Sequence, residues 1–107
     1  MSETKPCIVL LQGTFREGGK ETPEFKEYSA RANANGAAHG AKVLRRYTVN
    51  QNLGQGDITN FVVVVEYPSR AIAESVFTNE EYKSIIPLRE VAFKEVKILI
   101  SEEFENA

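Results

Sequence analysis

The sequence has no tryptophan, one cysteine, one histidine and one methionine. A single cysteine cannot form an internal disulfide, so a reducing cytoplasm is the expected compartment. A single histidine without a Cys or Asp partner at ligand spacing leaves a metal site unsupported. Gly54-Gln55-Gly56 lacks a third glycine and precedes a strand instead of following one. It is therefore no dinucleotide fingerprint, and no cofactor is expected. An excess of one charge is also missing: 13 Lys and Arg stand against 15 Asp and Glu, for a net charge of -2. That balance suits a phosphate backbone poorly and argues against nucleic acid as a partner. No apolar run approaches the ~20 residues of a membrane span. The polar start Met-Ser-Glu-Thr-Lys-Pro does not read as a secretory signal.

The 107 residues, 42% of them hydrophobic, suit one domain over 1–107, with 1–5 and 103–107 expected as flexible ends. Cys7-Ile8-Val9-Leu10-Leu11 reads as a strand, closed by a polar stretch holding Gly13, Gly18 and Gly19. Thr22-Pro23 is a helix start: threonine caps, and proline at the first position loses no hydrogen bond. Phe25, Tyr28, Ala32, Gly36 and His39 then recur at helical spacing, with an end expected before Gly40. Ala41–Val49 reads as a second strand, residues 50–59 as a loop, and Phe61–Val65 as the strongest strand. Ser69 caps a helix carrying Ile72, Ala73, Val76 and Phe77, and Asn79-Glu80-Glu81 marks another helical start. Pro87 is expected to break or restart that helix, and Lys97–Ile100 forms the last strand.

Strand, helix, strand, strand, helix, strand is an α+β pattern. Two right-handed βαβ halves give a ferredoxin-like βαββαβ fold, a four-stranded antiparallel sheet with helices on one face. A sheet with one wet face alternates apolar and polar residues; this one does not. Phe61, Val63 and Val65 point one way and Val62 and Val64 the other, and Ile8 and Leu10 oppose Cys7, Val9 and Leu11. Leaving such side chains in water forgoes roughly 1.5–3 kcal/mol each. The expected remedy is a homodimer, sheet packed on sheet as a dimeric α+β barrel.

The run Phe61–Ser69, followed by Thr78-Asn79-Glu80-Glu81-Tyr82 and Leu88-Arg89, resembles the short bacterial proteins grouped as domain of unknown function 1330. His39-Gly40-Ala41-Lys42 is similar to that family's His-Gly-Gly-Arg turn, with Arg46 at its later arginine. The likeness covers about residues 25–101. Tyr67 stands for the usual Phe, Asn79 for a proline and Ala41 for a glycine. The resemblance implies the dimeric barrel of ferredoxin-like halves, whose relatives by fold include cofactor-independent monooxygenases, lactone isomerases and haem-degrading enzymes. It assigns no activity of its own.

His39 is the one side chain of a type that titrates near neutrality. On the apolar helix face it would act as a general base at a cavity between helices and sheet; alternatively it closes the helix C-terminus. Tyr82 and Arg89 are the pair the resemblance singles out. Arg offers a fork to a carboxylate or enolate, and Tyr donates to the same anion. Structural packing of Tyr82, with Arg89 paired to Glu66, Glu90 or a partner's acid, is the other option. Lys42, Arg45 and Arg46 make a basic edge strand, which guards against aggregation, and Arg46 is also the candidate for an anion-binding rim. Tyr28, Tyr47, Phe61, Tyr67 and Phe77 would line a cavity or form plain core, and Tyr28 and Tyr67 join Arg46 as ligand-binding candidates. Cys7, in a buried strand, is expected to be inert. The expected function is small-molecule binding, extending to cofactor-independent catalysis on a small carbonyl or phenolic compound. The alternative is a non-catalytic metabolite-binding or interaction module.

Overall fold

Gly13 is the first residue to depart from its sequence reading: it lies inside a strand. In the computed structural model, which describes residues 5–103, β1 runs over Cys7–Phe15. Gly13 pairs with Phe61 on one side and Val96 on the other. Its missing side chain is used for close approach, because a Cβ there would strike the Phe61 ring. The remaining strands are β2 (Lys42–Thr48), β3 (Phe61–Tyr67) and β4 (Phe93–Ser101). All pair antiparallel in the order β2-β3-β1-β4, so β1 and β3 are central and β2 is an edge. This is the ferredoxin-like arrangement. The expected flexible ends fall largely outside the described residues.

Each helix starts where cap chemistry dictates. Thr22 Oγ1 accepts from Phe25 N at 3.1 Å, and α1 spans Pro23–Ala38. Ser69 Oγ accepts from Ile72 N at 3.1 Å, opening α2 (Arg70–Val76). Asn79 Oδ1 accepts from Tyr82 N at 2.8 Å, opening α3 (Glu80–Ala92). A short 3-10 turn, Gly19–Glu21, precedes α1 and has no counterpart in the sequence reading.

Pro87 does not break its helix; α3 continues through it. Pro87 and Lys83, whose carbonyl loses its amide partner, are both exposed, so water can satisfy that carbonyl. The break expected from sequence is therefore absent, and residues on either side of Pro87 share one helix face.

The helical face of the sheet carries Val9, Leu11, Val63, Val65 and Ile98. With Cys7, Tyr67, Ala73 and Val76 they form the core beneath α2. α1 packs chiefly on α3, so it does not close down on the sheet beside it. The buried Asn35 of α1 fixes that packing: its Nδ2 donates to Val76 O at 3.0 Å, and its Oδ1 accepts from Asn79 Nδ2 at 2.9 Å. The outer face presents Ile8, Leu10, Val62 and Val64, all half-buried, with Leu99 40% and Tyr47 54% exposed. The 50–59 loop leans only over the polar end of that face, where Thr14 Oγ1 donates to Ile58 O at 3.4 Å. Among the described residues no helix is long and apolar enough to cross a membrane.

Candidate functional site

Small residues on α1 leave a hollow. Ser29, Ala32 and Gly36 face the sheet across a cavity of about 820 Å³, whose opposite wall is Val43, Val63 and Val65. One end is closed by rings: Phe15 stacks on Phe93 at 4.8 Å, and Phe25 meets Phe15 edge-on at 5.0 Å. Tyr67 and Phe77 close the other, edge-on at 5.9 Å. Aromatic pairs in these geometries contribute ~0.5–1.5 kcal/mol each beyond area burial, so the ends are stiff.

Arg46 reaches the cavity through an irregularity in β2. Val43 pairs with Val65 and Arg45 with Val64, so Leu44 is an extra residue in the ladder. A bulge of this kind reverses the facing of everything after it. Arg46 consequently lies opposite Val63, on the helical face, while Arg45 turns to the outer face. Strict alternation from Val43 would have done the reverse. Arg46 joins the cavity wall at its mouth, and no ion pair to it is found among the described residues.

Tyr28 lines the cavity, and behind it stand Tyr82 and Arg89. The Tyr28 and Tyr82 hydroxyls are 2.8 Å apart, and Arg89 Nη1 donates to Tyr82 Oη at 3.1 Å. The Arg89 guanidinium also lies 5.8 Å from the centre of the Tyr82 ring and 3.8 Å from Glu90 Oε1. The continuity of α3 through Pro87 makes this contact between residues 82 and 89 possible. Burial opposes the Arg89 charge, but the hydrogen bond to Tyr82 and the nearby phenolic oxygens hold its pKa above the ordinary value. Burial, reinforced by Tyr82, raises the Tyr28 phenol well beyond its usual range. Tyr28 thus stays protonated, its hydroxyl paired with that of Tyr82.

Tyr67 is 4% exposed. No partner for its hydroxyl is found among the described residues, yet that oxygen is not sealed from solvent. It opens toward Gly36 and the cavity. Burial, and then Tyr82, push its pKa up to about 12. Tyr67, like Tyr28, is a hydrogen-bond donor at neutral pH.

The six candidates from sequence therefore divide. Tyr28, Tyr67 and Arg46 line the cavity; Tyr82 and Arg89 form the layer behind Tyr28; His39 lies apart. α1 ends at Ala38, and His39 leaves it at φ -114 and ψ 18. Helical spacing no longer directs its side chain, which is exposed and sits with Nδ1 2.8 Å from Asn35 O. It closes the helix end instead of serving the cavity. Lys20 on the 3-10 turn, with Asn33 and Asn60, also lines the cavity. Sequence reasoning passed over these: Lys20 sits in a polar stretch without periodicity. Among the described residues the lining includes no carboxylate, histidine or cysteine, and no three His, Cys, Asp or Glu converge anywhere.

The family described as domain of unknown function (DUF1330) matches residues 19–104, a wider span than the motifs alone suggest. No curated protein matches the sequence. Solved structures share the fold at low identity. The RPA0582 protein of unknown function from Rhodopseudomonas palustris aligns with a TM-score of 0.79 at 18% identity, over 97% of this chain and 85% of its own. A DABB family protein with a ferredoxin-like fold from Mesorhizobium loti aligns at 0.63 and 11% identity, over 94% and 98%. SnoaB, a cofactor-independent oxygenase from Streptomyces nogalater, aligns at 0.60 and 10% identity, over 97% and 100%.

Proposed function

Because the chain belongs to the DUF1330 family, whose name carries no activity, we propose its function from its own cavity: it binds a small, flat organic molecule between α1 and the sheet. The observation that carries this reading is a hollow of about 820 Å³, walled by aromatic and aliphatic side chains, with Tyr28 on its wall and the protonated Tyr67 hydroxyl open to it. Ligand pockets of roughly 300–1,000 Å³ with a few convergent polar groups are built this way. A carbonyl or phenolic oxygen is the natural acceptor for the Tyr67 hydroxyl.

Catalysis on such a compound, by analogy with cofactor-independent oxygenases of this fold, is the further step. It lacks a base: His39 faces solvent, and the described lining holds no histidine or carboxylate. Binding without chemistry is accordingly the better supported reading. The protein acts as a homodimer in this proposal, a second copy covering Ile8, Leu10, Val62 and Val64. The buried free thiol of Cys7 suits the cytoplasm proposed for it.

Calorimetric titration with 2-naphthol and aryl ketones tests the cavity. Saturable binding by the wild type, lost in a folded Ala32→Phe protein, is the expected result. A folded wild type to which none of these compounds binds would overturn the proposal.

A further inference from the structure

The charges around the cavity are of one sign. In a chain of net charge -2, the charged residues lining the hollow are Lys20 and Arg46, with no described Asp or Glu among them. No ion pair to either is found among the described residues. The other polar groups at the wall are weighted toward donation. Tyr67 presents a protonated hydroxyl, and Asn60 Oδ1 is already taken by Phe15 N at 2.8 Å, leaving its amide N–H groups. The walls between are rings and aliphatic chains.

From this arrangement we infer that the ligand is an aromatic carboxylate, a flat monoanion whose ring lies among the aromatic walls and whose carboxylate meets Arg46 at the mouth. This rests on the cavity reading above and adds the charge of the ligand to it. An unpaired guanidinium is a planar two-donor fork suited to a carboxylate. Arg46 and Lys20 are both exposed, so solvent screens the pairing and its gain is modest. The β2 bulge supplies an internal control. Arg45 and Arg46 are adjacent in sequence and carry the same charge, but they occupy opposite faces of the sheet. Only Arg46 serves the cavity; general electrostatic attraction would use both.

The test compares 2-naphthoate with its neutral near-isostere 2-naphthamide. The chain has no tryptophan, so naphthalene fluorescence is read over a tyrosine-only background. Wild type is expected to bind the carboxylate about tenfold more tightly than the amide, a preference that shrinks as salt rises. Arg46→Ala should remove most of that preference, and Lys20→Ala should weaken it further. Arg45→Ala should leave it intact. A wild-type-like thermal unfolding transition reports that each variant is folded. Equal binding of both probes by wild type would overturn the anion assignment and leave the cavity standing. So would a preference that survives Arg46→Ala with Lys20→Ala, or one lost equally in Arg45→Ala. Binding of neither probe would overturn both readings.

Discussion

The hydroxyls of Tyr28 and Tyr82 meet at 2.8 Å across the α1–α3 interface, although the residues are 54 positions apart in the chain. With Arg89 donating to Tyr82 at 3.1 Å, the three side chains form a line that ends at the cavity wall. Tyr82 is 2% exposed, so Tyr82→Phe leaves Arg89 without its acceptor and Tyr28 without its neighbour. A loss of ~1–3 kcal/mol of stability is expected. Urea unfolding of Tyr82→Phe, Tyr28→Phe and the double variant should give a coupling of about 1 kcal/mol; strict additivity would mean the two hydroxyls act independently.

Alkaline pH should destabilise the fold through its tyrosines. The folded pKa of Tyr67 is about 12 and that of Tyr28 is also raised, against an unfolded value near 10. The unfolded chain therefore releases these protons first. The stabilisation is fully present below pH ~10 and declines as pH rises toward the folded values. Tyr67 contributes part of that loss across this window. Unfolding midpoints measured through this range should fall steeply for the wild type and less steeply for Tyr67→Phe.

Asn79 serves two helices. It caps α3 through Tyr82 N and pairs with the buried Asn35 of α1. Asn79→Ala removes a cap, costing ~1 kcal/mol, and leaves the Asn35 amide oxygen short of its donor, costing ~1–3 kcal/mol more. Asn79→Ser keeps the cap alone and should recover about the first part. Thermal unfolding of the two variants separates the contributions.

Gly19 admits no side chain, because a Cβ there would land on the carbonyl oxygen of Ala92. Backbone cannot yield as a side-chain tip does. Gly19→Ala should cost ~1–3 kcal/mol, and by shifting the 3-10 turn it should displace Lys20 from the cavity wall. Chemical denaturation reads the first effect and 2-naphthoate affinity the second.

The outer sheet face gives a prediction about assembly. Val62→Glu puts a charge amid Leu10, Val64 and Tyr47, and it should convert a dimer into a monomer on light scattering after size exclusion. A wild type that is a stable monomer at micromolar concentration would remove the pairing.

Much of this architecture is written locally. Thr22, Ser69 and Asn79 cap their helices because a side-chain oxygen reaches amides within the next turn. Chemistry confined to four residues is visible in four residues. The central strands were equally plain, because apolar side chains on both faces need cover on both. What the sequence could not decide lies where elements cross. Whether Pro87 ends a helix depended on whether its freed carbonyl faces water. Leu44 became a bulge only through the register of β2 on β3, and that register, not the alternation of residues, turned Arg46 toward the cavity. His39 left its expected face because the helix stops one residue before it. The hollow itself is tertiary: α1 rests on α3 through Asn35 and Asn79, and its small residues are too short to reach the sheet.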